Sequence, residues 1–402
     1  MRHVSVSAVR HHLGERRRRS APRAADVVVI GGGIIGCAAA AMMADRGVRV
    51  VLVEREVVGS GASGRNLGAV QHPFDPVLAP LHRESLGRYQ ALAAGDDAFT
   101  IGARPAGLLL LNHDPDAAAA QAERMAATYP ELEPELIEDD ELVELEPSLA
   151  AGPWAVRLET GYPIPPSSAT EAWAVMAEQR GAHLVTGTTA TPSTESDRVQ
   201  GVALDDGGGI AADAVLVAAG PWSGPLIAPT GGWGRIQPTY GVTVQLRLDG
   251  DAPTHILEED DVDGVNRAAA ATARAAVADN DDADPPSLFS MASAGGLSTV
   301  GSTFLPSEPD AARISPLLLR RAAVYLPAVA SAEVVGRRMC ARPQSVDGLP
   351  FIGAVEGVSG LFVCAGHGPW GISTGPASAA IVARAILDGT TPPAELGAAR
   401  PV

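Results

Sequence analysis

At 402 residues the chain is long enough for two domains, and no apolar run approaches the ~20 residues that span a bilayer. A formal net charge of −17 disfavours nucleic acid and anionic membranes as partners, because such a surface attracts neither. All 30 basic residues are arginine, so no lysine is present to form a Schiff base or to act as an oxygen-activating cation.

Residues 1–23 carry His11, His12 and Arg16 to Arg19 with no apolar stretch, so they read as a disordered basic tail and not as a secretion signal. The first buried strand follows at Val27 to Ile30. It leads into Gly31-Gly32-Gly33-Ile34-Ile35-Gly36, then an alanine-rich helix ending at Arg46-Gly47, then a second strand that finishes on Glu54. This order is the dinucleotide fingerprint: Gly31 makes the tight turn, Gly33 admits a pyrophosphate close to the backbone, and Gly36 lets the helix pack on the strand. The helix N-terminus favours the phosphates, and Glu54 is placed to accept from ribose hydroxyls. An acid at position 54 argues against a 2′-phosphate; FAD and NAD both remain open at this point.

A glycine and hydroxyl run, Gly59 to Gly68, comes next, and its many backbone N–H groups suit a second cofactor-contacting loop. Helices are expected over 77–94 and 169–179, and the acidic stretch 131–146 reads as a solvated helix and loop with no site role. Strands are expected at 183–185, 199–204 and 214–218, the last running into Ala219-Gly220-Pro221-Trp222. Residues 236–248 alternate as an antiparallel strand does. Residues 266–286 lack any period and read as a mobile insertion, and a helix is expected over 313–326. Near the end, Leu361 to Ala365 repeats the opening logic: a buried strand, then Gly366-His367-Gly368-Pro369-Trp370-Gly371, then a helix with Ser373 or Thr374 as its expected cap. One pyrophosphate needs one helix N-terminus, so the second should face other negative charge. Cys37, Cys340 and Cys364 have no metal-ligand spacing, so no metal site is expected and a reduced, cytoplasmic protein is the simplest reading.

In this order, VVVIGGGIIG, GASGRNLG, VLVAAGPWS (215–223), RPQSVDGLPFIG (342–353) and GLFVCAGHGPWGIS (360–373) resemble the D-amino-acid-oxidase-like superfamily of FAD-dependent oxidoreductases. The resemblance runs from Asp26 to Gly389. It implies an α/β fold in which a Rossmann-like FAD domain with a central parallel sheet carries a substrate domain with a mixed, mostly antiparallel sheet. The expected division gives residues 24–80, 150–235 and 336–402 to the FAD domain and 81–149 and 236–335 to the substrate domain.

The activity implied is oxidation of an amine or amino acid C–N bond to an imine by hydride transfer to flavin, with oxygen or a protein or quinone as electron acceptor. An alternative is the FAD subunit of a hetero-oligomeric amino-acid or opine-type dehydrogenase; a remote one is a non-catalytic flavin-bound assembly subunit. Cofactor contacts are implied for Gly31, Gly33, Ile34, Ile35, Gly36, Glu54 and Arg55, and for Ala62, Ser63, Arg65, Asn66, Leu67 and Gly68. They are also implied for Ala190, Ala219, Gly220, Trp222, Cys340, Gly366, His367, Gly368, Trp370, Gly371 and Ile372.

The resemblance makes Arg342 a bidentate clamp for the substrate carboxylate. His72, close after the GASGRNLG loop, is a candidate for binding substrate or taking the amine proton, Tyr240 for lining the pocket, and His367 for stabilising charge at the flavin edge. Cys340 stands where sarcosine oxidases resembling this segment carry a flavin-linked cysteine, but its flanks, CARPQSVDG, resemble those with non-covalent FAD. Trp370 replaces the lysine of sarcosine oxidase, which points to a larger or less charged substrate than sarcosine.

Overall fold

A computed structural model describes residues 21–95, 99–228, 232–250, 252–260 and 287–402. Residues 1–20 of the expected tail and the expected insertion at 266–286 lie outside the described residues.

β1 (Val27–Ile30), α1 (Ile34–Asp45) and β2 (Val50–Glu54) form the opening unit. They belong to a six-stranded sheet in the order Phe351–Ala354, Leu361–Ala365, Ala214–Val217, β1, β2, His183–Thr186, parallel throughout except at its first pair. The unbroken apolar runs follow from burial on both faces. Val27, Val29 and Leu52 pack on the helical side, against α1, Ser168–Gln179 and α2 (Gly371–Asp388). Val28, Ile30, Val51 and Val53 pack on the other side with Val199, Val202 and Ile210 of a three-stranded antiparallel sheet. The four consecutive alanines Ala38 to Ala41 are wholly buried, so their small side chains let α1 lie close to its neighbours.

The second sheet has eight strands, in which β3 (Ile236–Arg247), β4 (Ile256–Glu259), β5 (Ser287–Ala294), β6 (Leu297–Thr303) and β7 (Glu333–Ser345) matter for the site. Its order is β7, β3, β6, β5, β4, Leu108–Asn112, Trp154–Leu158, Glu135–Ile137, and only β4 with Leu108–Asn112 is parallel. Val242, Val244, Phe289, Met291 and Val300 form a core under the helix Ala311–Tyr325, which contributes Leu318, Ala322 and Tyr325. The fold class is the expected one: a parallel-rich sheet and a mostly antiparallel sheet.

Two expectations need correction. The acidic stretch 131–146 is more than a solvated helix: Glu135–Ile137 is an edge strand, Leu142 is buried, and the Glu146 carboxylate accepts from His255 and Thr254. Ser373 and Thr374 do not cap the last helix, which starts earlier, at Gly371. Within it the Ser373 hydroxyl accepts from the Gln71 N–H and the Thr374 hydroxyl donates to the Trp370 carbonyl.

Candidate functional site

A cavity of about 400 Å³ opens between the C-terminal ends of the parallel strands and one face of the eight-stranded sheet. Crevices in this position are where open α/β sheets bind ligands.

At one end the chain turns at Gly31, whose φ of 114° is open to glycine; a Cβ there would run into the Ala218 carbonyl. Gly36 is set back from the cavity, where a Cβ would collide with the Gly31 carbonyl, so this glycine holds the turn and helix together. The Glu54 carboxylate is buried, accepting from the N–H groups of Gly32 at 2.7 Å and Glu56 at 2.9 Å. A carboxylate has about four acceptor sites, so capacity remains for ribose hydroxyls. Arg55 lies over the Trp222 ring at 3.8 Å, and both line the mouth with Ala219 and Gly220, while Ala190 lies deeper.

The middle of the wall is the N-terminus of α1 with the loop after β2. Gly33, Ile34 and Ile35 line the cavity; the first turn holds no acid, and no side chain of the N-cap Gly33 caps it. The Ser63 hydroxyl accepts from the Ile34 N–H at 3.0 Å. Asn66 sets the loop's shape, donating to the Ser63 and Pro166 carbonyls and accepting from the Gly68 N–H. Arg65 donates to the Met339 carbonyl and Arg338 to the Gly64 carbonyl, which strap the loop to β7. Ala62, Ser63, Arg65, Asn66 and Leu67 reach the cavity; Gly68 instead lies against Ile164.

At the far end, the second glycine loop brings His367, Gly368, Trp370, Gly371 and Ile372 to the wall, with the N-terminus of α2 again free of acids and side-chain caps. Gly366 is behind it. Burial pushes the His367 imidazole down to about 3, so the ring is neutral; its Nε2 pairs with the Ser378 hydroxyl at 3.0 Å.

Facing that loop is Arg342 on β7. Its guanidinium donates to the Thr303 carbonyl at 2.7 Å and to the Ser302 hydroxyl, and lies 4.5 Å from the Phe304 ring centroid. Burial opposes its charge, yet among the described residues no carboxylate lies within 4 Å of it. Cys340 lines the cavity beside it.

Two candidates fall outside the wall. His72 packs in a buried ring cluster with Phe74, His82 and Tyr129, and desolvation pushes its pKa down. Tyr240 pairs its backbone with Leu305 and does not line the cavity. Sequence reasoning also missed wall residues: Gln71, Thr243, Glu258, Ser290, Ser302 and Phe304. No local motif marks them.

An extended adenine dinucleotide fits this wall: an acid at one end, a helix N-terminus with no acid in its first turn in the middle, and a second such N-terminus at the far end. The family model for FAD dependent oxidoreductases matches residues 26–385. Glycine oxidase from Geobacillus kaustophilus is 30% identical over 364 residues, spanning 87% of this chain and 89% of that protein. Its crystal structure aligns with a TM-score of 0.78 at 26% identity, covering 95% of this chain and 100% of that one. Glycine oxidase from Bacillus cereus aligns with a TM-score of 0.77 at 25% identity, over 91% and 96% of the two chains. L-proline dehydrogenase from P. horikoshii shares the fold, with a TM-score of 0.77 at 21% identity over 94% and 96%.

Proposed function

The chain belongs to the FAD dependent oxidoreductase family and acts on amino donors, and from this premise we propose that it oxidises the C–N bond of an amino acid whose carboxylate sits on Arg342. The observation that carries the reading is the half-buried Arg342 guanidinium, held by Thr303, Ser302 and Phe304 with no carboxylate within 4 Å among the described residues. Desolvation disfavours its charge, so an anionic ligand stabilises it. The planar fork presents two parallel donors to a carboxylate and thereby orients the substrate.

FAD, when bound, supplies the acceptor for the hydride that leaves the substrate carbon. Glu54 would hold the ribose, the turn from Gly31 to Gly36 and the start of α1 the pyrophosphate, and the start of α2 the negative end of the cofactor's ring system. Neutral His367 supplies no cation there; its bond to Ser378 holds the second glycine loop against α2. Trp370 and Phe304 give this end aromatic walls, which suit a side chain larger than a hydrogen. We take the FAD as non-covalent because the flanks of Cys340, CARPQSVDG, resemble relatives with non-covalent FAD; Cys340 itself lines the cavity.

Anaerobic mixing with a panel of L- and D-amino acids tests the reading, because flavoprotein absorbance near ~450 nm bleaches on reduction. Amino acids should bleach the wild-type protein, and Arg342→Met should slow this by ~100-fold or more at subsaturating substrate, as expected for a buried ion-pair anchor. Equal rates with amines that lack a carboxylate, or an unchanged rate in Arg342→Met, refute the anchor. Repeating the mixing with oxygen and with a dye identifies the electron acceptor.

A further inference from the structure

Beyond the carboxylate anchor, and resting on the amino-acid reading above, we infer that Glu258 with Gln71 binds the substrate's ammonium group, so the site selects zwitterions. Strand register places Glu258 there. Glu258 on β4 is opposite Ser290 on β5, Ser290 is opposite Gly301 on β6, and Gly301 is opposite Thr243 on β3. Residues in one such row share a face of the sheet. Glu258, Ser290 and Thr243 accordingly line the same cavity, and Gly301 leaves the floor between them low: a Cβ there would meet Ser290 and Thr243 at 3.3 Å.

Arg342 starts from the opposite side of this floor. Its strand β7 is four places from β4, but its side chain crosses β3 above Gly241 and ends on Ser302 and Thr303 of β6. Two strand spacings then separate β6 from β4, about 10 Å. An α-amino acid with a hydrogen bond of ~2.8 Å at each end spans on the order of 9 Å, which matches this separation.

The chemistry at the second pole suits an ammonium. The Glu258 carboxylate is 4% exposed and accepts from the Gln71 amide at 3.0 Å, which fixes its orientation. Gln71 is itself 5% exposed, lines the cavity, and has its Oε1 buried without a hydrogen-bond partner among the described residues. An ammonium has three donors, enough for the carboxylate and this amide oxygen together. A carboxylate ligand lacking nitrogen would meet Arg342 equally well but leave the buried Gln71 Oε1 without a donor, which costs affinity.

The test uses FAD-loaded full-length protein and ligands that cannot be dehydrogenated. 2-Aminoisobutyrate has no hydrogen on its α-carbon, and isobutyrate is its counterpart without nitrogen; α-methylphenylalanine and 2-methyl-3-phenylpropanoate form a larger pair. Affinities are measured by calorimetry for wild type, Glu258→Gln, Gln71→Leu and Arg342→Met, with the bound-flavin spectrum reporting an intact cavity. In at least one pair the wild type should bind the zwitterion roughly tenfold or more tightly than its counterpart, as charge-assisted bonds are worth. Glu258→Gln should bring that ratio near one without weakening the plain carboxylate, and Gln71→Leu should lower it less. A wild-type ratio of one in both pairs, or an undiminished ratio in Glu258→Gln, overturns the inference. Undiminished binding of the plain carboxylate by Arg342→Met would instead sink the carboxylate anchor and leave the Glu258 result standing by itself.

Discussion

Gly241 gives the sharpest test of how the anchor is built, because it never touches a ligand in the proposed arrangement. It is opposite Cys340 on the neighbouring strand, and a Cβ added to it would overlap the guanidinium: the three nearest atoms are all from the end of the Arg342 side chain. That end is flexible, so Gly241→Ala should fold with Arg342 pushed off its seat on Thr303 and Ser302. Losing two hydrogen bonds to a cation costs about 3 kcal/mol at the low end, and replacing glycine within a strand returns ~1 kcal/mol, leaving the variant about 2 kcal/mol less stable. A displaced fork can no longer meet a carboxylate bidentately; losing one charge-assisted bond of ~1.5–3 kcal/mol weakens binding roughly ten- to a hundredfold. The assay is calorimetric titration of isobutyrate into the FAD-loaded variant, beside urea unfolding and FAD affinity. FAD affinity should stay unchanged, since the cradles of the opening turn lie elsewhere in the cavity. Isobutyrate affinity unchanged in Gly241→Ala would show that the guanidinium's seat does not set carboxylate binding, and the reasoning would fall.

Other outcomes follow from the same geometry. Glu54→Gln should lower FAD affinity roughly ten- to a hundredfold by removing the charge that accepts from ribose; an unchanged titration of apoprotein with FAD would count against that role. Acid precipitation should leave the yellow colour in the supernatant; colour that stays in the pellet, and leaves it in Cys340→Ser, would show a covalent flavin. Burial, then His72 and Arg83, hold His82 down at about 4, whereas an unfolded histidine titrates near ~6.5. The unfolded chain therefore binds the extra proton, and stability is fully present above the unfolded value and falls as pH drops from there toward 4. Urea unfolding between pH 6 and 5 should lose about 1 kcal/mol per pH unit more in wild type than in His82→Phe, and parallel curves would contradict the assignment.

The proposed cofactor end of the site was legible because the residues that form it are adjacent in the chain. A tight turn, a helix start and an acid at the next strand end are each local, and Gly31, Gly33, Ile34 and Glu54 all line the cavity. Strand positions are read by periodicity alone, and there a single residue decides the face. His72 was expected in the cavity for its closeness to the glycine loop; the chain alternates there, so Ala69 and Gln71 line the cavity while Val70 and His72 pack behind it. Tyr240 fails in the same way: Thr243 faces the cavity, and the opposite-parity residues Val242 and Val244 belong to the core under the helix Ala311–Tyr325.

Glu258 could not be found at all from its own neighbourhood, where Ile-Leu-Glu-Glu-Asp reads as one more acidic surface stretch in a chain of net charge −17. Its place depends on pairing with β5, which forms a hairpin with β6, and on β6 pairing with β3; long stretches of chain separate β4 from β5 and β3 from β6. A linear motif can therefore carry the cofactor's requirements from one relative to another, but not the substrate's. Arg342 is the partial exception, since its motif names the residue, but the seat that aims it, Ser302, Thr303 and the bare Gly241, comes from two other strands. On the proposed reading, substitutions on β3 to β6 change which substrate is taken while leaving every glycine motif intact.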